Sequence, residues 1–188
     1  QLHLDDPVNA KCQASIDGRV ERRARGEPLQ YVLGAWGFRR LDLFVDQRVL
    51  IPRPETEIVV EVALAALRAL HVDGDTPLVV DLGTGSGAIG LAIATEMLTT
   101  HVWLTDSSAA ALDVARLNLI GLGQAAVGRV EVKHGDWFTA LPEALMGMLT
   151  LVVSNPPYVR DDDALPSEVV DWEPAGALRA GPGGLDDL

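Results

Sequence analysis

Two stretches of this sequence hold residue types at spacings that chemistry could use: "DLGTGSG", Asp81 to Gly87, and "NPPY", Asn155 to Tyr158. The first lies between a run that reads as a strand and one that reads as a helix. Gly83, Gly85 and Gly87, with Thr84 and Ser86 between them, permit a tight turn and let a ligand approach bare backbone. The spacing differs from the G-x-G-x-x-G of pyrophosphate sites, and Asp81 puts a negative charge where a pyrophosphate would lie. A neutral or cationic ligand group fits better, such as the amino-acid part of a nucleoside-linked cofactor. Asp106 ends the next strand, where a carboxylate takes both hydroxyls of a ribose. Asp136 and Trp137 end a third, offering an acceptor for an exocyclic amine and a flat ring edge for adenine. Any one of these acids alone reads better as a cap for the helix or loop that follows it; Asp81, Asp106 and Asp136 after successive strands favour a ligand. The fourth strand ends in a stiff polar corner, where Asn155 supplies an amide, Pro156 and Pro157 fix the chain direction, and Tyr158 adds a flat wall. Asn-Pro-Pro also starts ordinary loops. Its place on the same sheet edge as the glycine turn favours a functional reading.

The elements that must position these groups follow from periodicity. From residue 77 strand and helix alternate: "PLVVDLG", an apolar helix "SGAIGLAIATEML", "HVWLTD", a helix "SAAALDVARLNLIGLG", "RVEVKHGD" and "LTLVVSN". This order predicts a parallel sheet with right-handed crossovers. Ser107 or Ser108 caps the second helix, and Gly121 or Gly123 stops it. Upstream, "SIDGRVERRAR" reads as the end of a polar helix, broken by Gly26 and Pro28. Leu41, Leu43 and Val45 then alternate with polar or exposed positions, and a second short run, "RVLIP", follows. The two runs predict a β-hairpin. Pro54 opens a helix whose stripe is Ile58, Val62, Ala65, Ala66 and Ala69.

With 188 residues and 48% hydrophobic side chains, the chain can bury a substantial core. Its 15 Lys and Arg against 27 Asp and Glu give a net charge of -12, which disfavours tight, sequence-blind nucleic-acid binding. The cluster Arg19, Arg22, Arg23 and Arg25 reads as a solvated helix face. One cysteine, Cys12, excludes an internal disulfide and fits a reducing, cytoplasmic setting. The first residues are too acidic for a signal peptide, and no apolar run is long enough for a bilayer. His3, His71, His101 and His134 lack metal-ligand spacing, so no metal is expected.

Together, "DLGTGSG", "TD", "GDWF" and "NPPY" resemble the class I S-adenosylmethionine-dependent methyltransferases that act on planar nitrogens. "RARGEPLQYVLGAWGF", "VLIPRPETE" and "EVVDWEPAGALRAGPGGL" narrow the resemblance to the HemK/PrmC family, which methylates the glutamine of the Gly-Gly-Gln motif in peptide chain release factors. The resemblance implies an α/β, Rossmann-like class I methyltransferase sheet that is truncated after its fourth strand, with its C-terminal strands missing. It implies a remnant of an N-terminal helical substrate-recognition domain over residues 1–35, a β-hairpin linker over 36–53 and the cofactor-binding methyltransferase domain over 54–188. S-adenosylmethionine would lie against Asp81, Gly83, Thr84, Gly85, Ser86, Gly87, Asp106, Asp136, Trp137 and Asn155. Asn155, Pro156 and Tyr158 would carry catalysis, and Asn155 to Tyr158 would hold the substrate amide, supported by Arg53 and Glu55. Two alternatives stand beside it: a nucleic-acid amino-methyltransferase, and a cofactor-binding module without turnover.

Overall fold

Asn9 starts the first helix, α1 (Ala10–Ala24), by accepting the Cys12 N–H at 2.9 Å. The computed structural model describes residues 9–70 and 76–187, so His3 and His71 lie outside the described residues. Near the end of α1, Arg22 forks onto the buried Glu27 carboxylate and donates to the Tyr31 carbonyl at 2.9 Å. The Arg22–Glu27 hydrogen bond holds the Glu27 carboxyl below its ordinary range. The bond to Tyr31 fastens α2 (Leu29–Leu33), which buries Tyr31 and Val32 and stops at Gly34 in the left-handed region, φ 69°.

The hairpin is real, but its strands differ from those expected. Leu41, Leu43 and Val45 are buried in alternation, as the period of two requires. Leu41–Leu43 (β2), however, pairs with the preceding Trp36–Phe38 (β1), with Trp36 opposite Leu43. "RVLIP" is no strand; it belongs to an irregular segment running from residue 44 to 53. Pro52 and Pro54 account for this, since neither offers an N–H to a ladder.

A single 3-10 turn at Pro54–Thr56 leads into α3 (Glu57–Leu70). Here the expected stripe is corrected. Val60, Ala63, Leu64 and Leu67 face the core, while Ile58 and Val62 are 61% and 64% exposed. The helix carries two apolar stripes at helical spacing, and the one with the larger buried leucines packs against the sheet and α4.

Four strands make a parallel sheet: β3 (Leu78–Leu82), β4 (His101–Asp106), β5 (Val130–His134) and β6 (Leu151–Ser154), in the order β5-β4-β3-β6. Asp81 aligns with Leu104 on one side and Val153 on the other. Between the strands run α4 (Ala88–Glu96), α5 (Ala109–Gly121) and the short α6 (Gln124–Val127). Ser108 caps α5 by accepting the Ala111 N–H. Helix α4 is buried from Ala88 to Ala94, which explains its unbroken apolar sequence. The chain leaves β3 toward β4 and returns on its other side as β6. The sheet therefore has a switch point at β3, and its ligand crevice opens at the carboxyl ends of the strands there. Among the described residues β6 pairs only with β3, leaving its outer edge unpaired. After β6 come α7 (Ser167–Val170) and a 3-10 turn at Ala175–Ala177, before Arg179 bridges back to Val159. Among the described residues no helix is long and apolar enough to cross a membrane.

Candidate active site

The glycine turn is built by its neighbours. Gly83, Gly85 and Gly87 all take positive φ, at 67°, 56° and 87°, a region that favours glycine. Thr84 N–H donates to the Thr105 carbonyl at 2.9 Å, and Gly85 N–H to Asp106 Oδ2 at 2.9 Å. The turn after β3 is thus pinned to the end of β4. Asp81 supports it from below. It is 1% exposed, and its Oδ2 accepts from the Thr84 hydroxyl at 2.6 Å and the Gly90 N–H at 2.9 Å. Its Oδ1 is buried without a partner. Burial pushes the Asp81 carboxyl up to about 7, against the pull of the Thr84 and Gly90 hydrogen bonds. Asp81 does not line the cleft; it supports the loop and is not part of the wall.

A cleft of about 390 Å³ opens at the carboxyl edge. Its wall brings together Gly83, Thr84, Gly85, Ser86, Asp106, Asp136, Trp137, Asn155, Pro156 and Pro157 from four strand ends. Gly87 is buried at the start of α4 and stays out of the wall. Asp106 Oδ1 accepts the Ser108 N–H at 2.8 Å. Both its oxygens are therefore engaged in shaping loops, yet each keeps lone pairs for a ligand hydroxyl. The loop-capping reading of this acid is met by the Gly85 and Ser108 N–H contacts. Trp137, which lines the cleft, holds φ 46°, a costly conformation for a bulky residue.

A second pocket of about 230 Å³ adjoins the first. Tyr158, 65% exposed, and Glu55 line only this smaller pocket, whereas Asn155, Pro156, Arg53, Leu50, Thr56 and Ala177 line both. The Asn155-Pro156 corner therefore belongs to the lining that both cavities share. Among the described residues neither the Asn155 side-chain amide nor the Pro156 carbonyl has a hydrogen-bond partner. Glu57 stands apart: it accepts the Arg39 N–H at 2.8 Å and serves the hairpin turn.

Sequence reasoning singled out neither Asn118 nor Glu173. Buried Asn118 accepts the Phe44 N–H at 2.7 Å and donates to the carbonyls of Phe44 and Ser86. Buried Glu173 accepts from Ile51 N–H at 3.1 Å and from Arg53 Nη2 at 2.5 Å. With the Tyr31 hydroxyl donating to the Val49 carbonyl at 2.5 Å, these side chains hold the irregular 44–53 wall. Burial, and then the negative charge of Glu173, raises the pKa of Tyr31, so it remains a donor. Each partner lies far away in the chain, so only the quoted strings around "IPRPETE" and "DWEPAG" carried any signal.

Comparison with known proteins bears on this geometry. A protein 45% identical over 188 residues is the release factor glutamine methyltransferase of Xylella fastidiosa strain 9a5c, and another, 43% identical over 177 residues, carries the same name in Burkholderia pseudomallei. They match 99% and 93% of this chain, which spans 64% and 60% of their lengths. The catalytic domain of hMettl16, crystallised with a MAT2A 3'UTR hairpin, superposes with a TM-score of 0.55 at 18% identity, over 99% of this chain and 64% of that one. The N-terminal domain of human METTL16 in complex with SAH does so at 0.51 and 16%, over 87% and 61%. At that identity the likeness speaks for the fold alone. Residues 1–34 match the PrmC N-terminal domain. The methyltransferase small domain model covers residues 61–171, more than half of the chain and all four strands' site-bearing ends, and the chain belongs to that family.

Proposed function

We propose that the protein transfers a methyl group from S-adenosylmethionine to the side-chain amide nitrogen of glutamine in the Gly-Gly-Gln motif of peptide chain release factors. The observation that carries this reading is the Asn155-Pro156 corner, which lines both adjoining pockets and whose acceptors have no partner among the described residues. The names of the relatives support the choice of substrate. The match of residues 1–34 supports an N-terminal unit over residues 1–35, followed in this reading by a hairpin linker over 36–53 and the methyltransferase domain over 54–188. A net charge of -12 and a single cysteine fit a cytoplasmic enzyme that does not grip nucleic acid.

The larger cleft fits the cofactor. Gly83 and Gly85 present backbone where a Cβ would meet no other atom within 4 Å, so the turn is open to a ligand and not packed against protein. Asp106 has spare lone pairs for two ribose hydroxyls, and Trp137 offers a ring face beside Asp136. S-adenosylmethionine supplies an electrophilic methyl group on a sulfonium centre.

The chain's own residues then act on the substrate. An amide nitrogen is a poor nucleophile because its lone pair is delocalised into the carbonyl. The Asn155 side-chain oxygen accepts one N–H and the Pro156 carbonyl the other, which aims the nitrogen and favours the positive charge that develops on it. Tyr158 packs on the planar amide and excludes water. The proton leaves after transfer, when the nitrogen has become acidic, so no strongly shifted base is required.

Labelled cofactor, a release factor and the full-length protein provide the test. Label is expected on the Gly-Gly-Gln glutamine. Label on nucleic acid alone overturns the reading, as does cofactor binding without transfer.

A further inference from the structure

We propose that Glu173 is a positioning residue that holds the wall shared by the two pockets. The inference rests on the methyltransferase reading of the site. Residues 44–53 have no regular secondary structure. An irregular segment packed against a core must find partners for its backbone polar groups elsewhere. Glu173 is 6% exposed, and both of its oxygens are used on this segment, one by the Ile51 N–H and one by the Arg53 guanidinium. Arg53 sits between Pro52 and Pro54, which restrict its backbone, so its head group is the part left to be fixed.

The bond joins two walls that are 120 residues apart in the chain. Arg48, Val49, Leu50, Pro52 and Arg53 line the larger cleft. The residues just after Glu173 line it too: Pro174, Gly176 and Ala177 line the larger cleft, and Ala177 and Leu178 the smaller. Among the described residues the Ile51 and Arg53 bonds to Glu173 are the only side-chain hydrogen bonds that link these two segments. A buried carboxylate that loses its guanidinium is strongly disfavoured, so the pair moves as one unit or not at all. Asn155 and Pro156 line both pockets together with Arg53 and Ala177. Glu173 therefore fixes the lining that the two pockets share without itself lining either one.

A double-mutant cycle in the full-length protein tests this. Glu173→Gln keeps an acceptor for the Ile51 N–H and releases Arg53. It is expected to weaken S-adenosylhomocysteine binding, read by calorimetry, by about tenfold, the scale of one charge-assisted hydrogen bond. It is also expected to raise KM for the release factor, while thermal unfolding stays cooperative. Arg53→Gln should do the same, and the double variant should be no worse than either single one, because both break one contact. Additive effects overturn the proposal, as does Glu173→Gln with parental constants. If Glu173→Gln fails to fold, Arg53→Gln decides: it leaves the Ile51 contact intact and must raise both constants on its own. A parent protein that binds S-adenosylhomocysteine but methylates no release factor sinks the substrate assignment, while the calorimetric cycle still decides the role of Glu173. A parent that binds neither sinks both.

Discussion

Asp106 Oδ2 accepts the Gly85 N–H at 2.9 Å, so the acid that ends β4 also fixes the turn that follows β3. One carboxylate shapes the cleft and offers it acceptors. Asp106→Ala removes both contributions and is expected to weaken cofactor binding by on the order of tenfold to a hundredfold. Asp106→Asn, which keeps one acceptor oxygen, should fall between it and the parent. Calorimetric titration with S-adenosylhomocysteine measures both; an alanine variant with parental affinity would remove Asp106 from the site.

Asn118 makes a second tether of this kind, from α5 to the carbonyl of Ser86 and both backbone groups of Phe44. Asn118→Ala leaves buried backbone groups without partners. Each such hydrogen bond is worth about 1 kcal/mol, so a loss of about 2–4 kcal/mol of stability is expected. Urea unfolding is the measurement. A loss of under about 0.5 kcal/mol, the range of ordinary surface changes, would show that water replaces the tether.

Gly90 lies inside α4, where alanine is usually the better residue by about 1 kcal/mol. Here a Cβ would come within 2.2 Å of Leu104 Cδ2 and 3.1 Å of Asp81 Oδ2. Overpacking of a tight core costs about 1–3 kcal/mol. Gly90→Ala is therefore expected to destabilise the protein despite its helix propensity, and to disturb the Asp81 support beneath the glycine turn. Unfolding midpoints check the first effect and cofactor affinity the second. A more stable variant would mean that α4 shifts freely.

These three residues also mark the boundary of what the sequence could tell. The strand-turn-helix around Asp81 to Gly87 was legible because its signals are local: an apolar run, glycines at positive φ, then an apolar helix. Asp106, Asp136, Trp137 and Asn155 were legible because a parallel sheet puts every strand's carboxyl end on one edge. Two readings failed where a local signal had a competitor. Leu41–Leu43 had an apolar run on each side, and the prolines near "RVLIP" decided against it. On α3 two apolar stripes compete, and only packing selects Val60, Leu64 and Leu67. Asp81 was recognised as special, but its depth beneath the loop was not, because burial depends on how α4 covers it. Asn118 and Glu173 were out of reach, since a lone polar residue carries no mark of a partner 74 or 122 residues away.

Asn155 is expected to separate chemistry from binding. It lines both pockets, while most of the larger cleft's wall comes from other residues. Asn155→Ala should reduce methyl transfer by on the order of 10²–10³, the range for removing one preorganised polar group at a reacting centre. It should lose less cofactor affinity than Asp106→Ala. Single-turnover transfer and calorimetry, run on the same preparations, make the comparison. Parental transfer rates would refute the role assigned to this side chain.

Asp81 should leave a signature in stability against pH. Its carboxyl titrates near 3.8 when exposed and is pushed up to about 7 by burial in the folded protein. Below about pH 4 it is protonated in both states and opposes nothing. Between about 4 and 7 the unfolded chain gives up the proton while the folded chain keeps it, so this group's contribution to stability falls as pH rises. Above about 7 both states are ionised and the contribution is constant. Asp81→Asn keeps an acceptor for the Thr84 hydroxyl and the Gly90 N–H but cannot ionise. The variant should therefore gain on the parent steadily from pH 4 to 7 and hold a fixed advantage at higher pH. Urea midpoints for the two proteins at pH 5, 6, 7 and 8 give the difference directly, with the other carboxylates common to both. Parallel curves across that range would show that Asp81 titrates as an exposed acid, and would remove the burial argument for its place beneath the glycine turn.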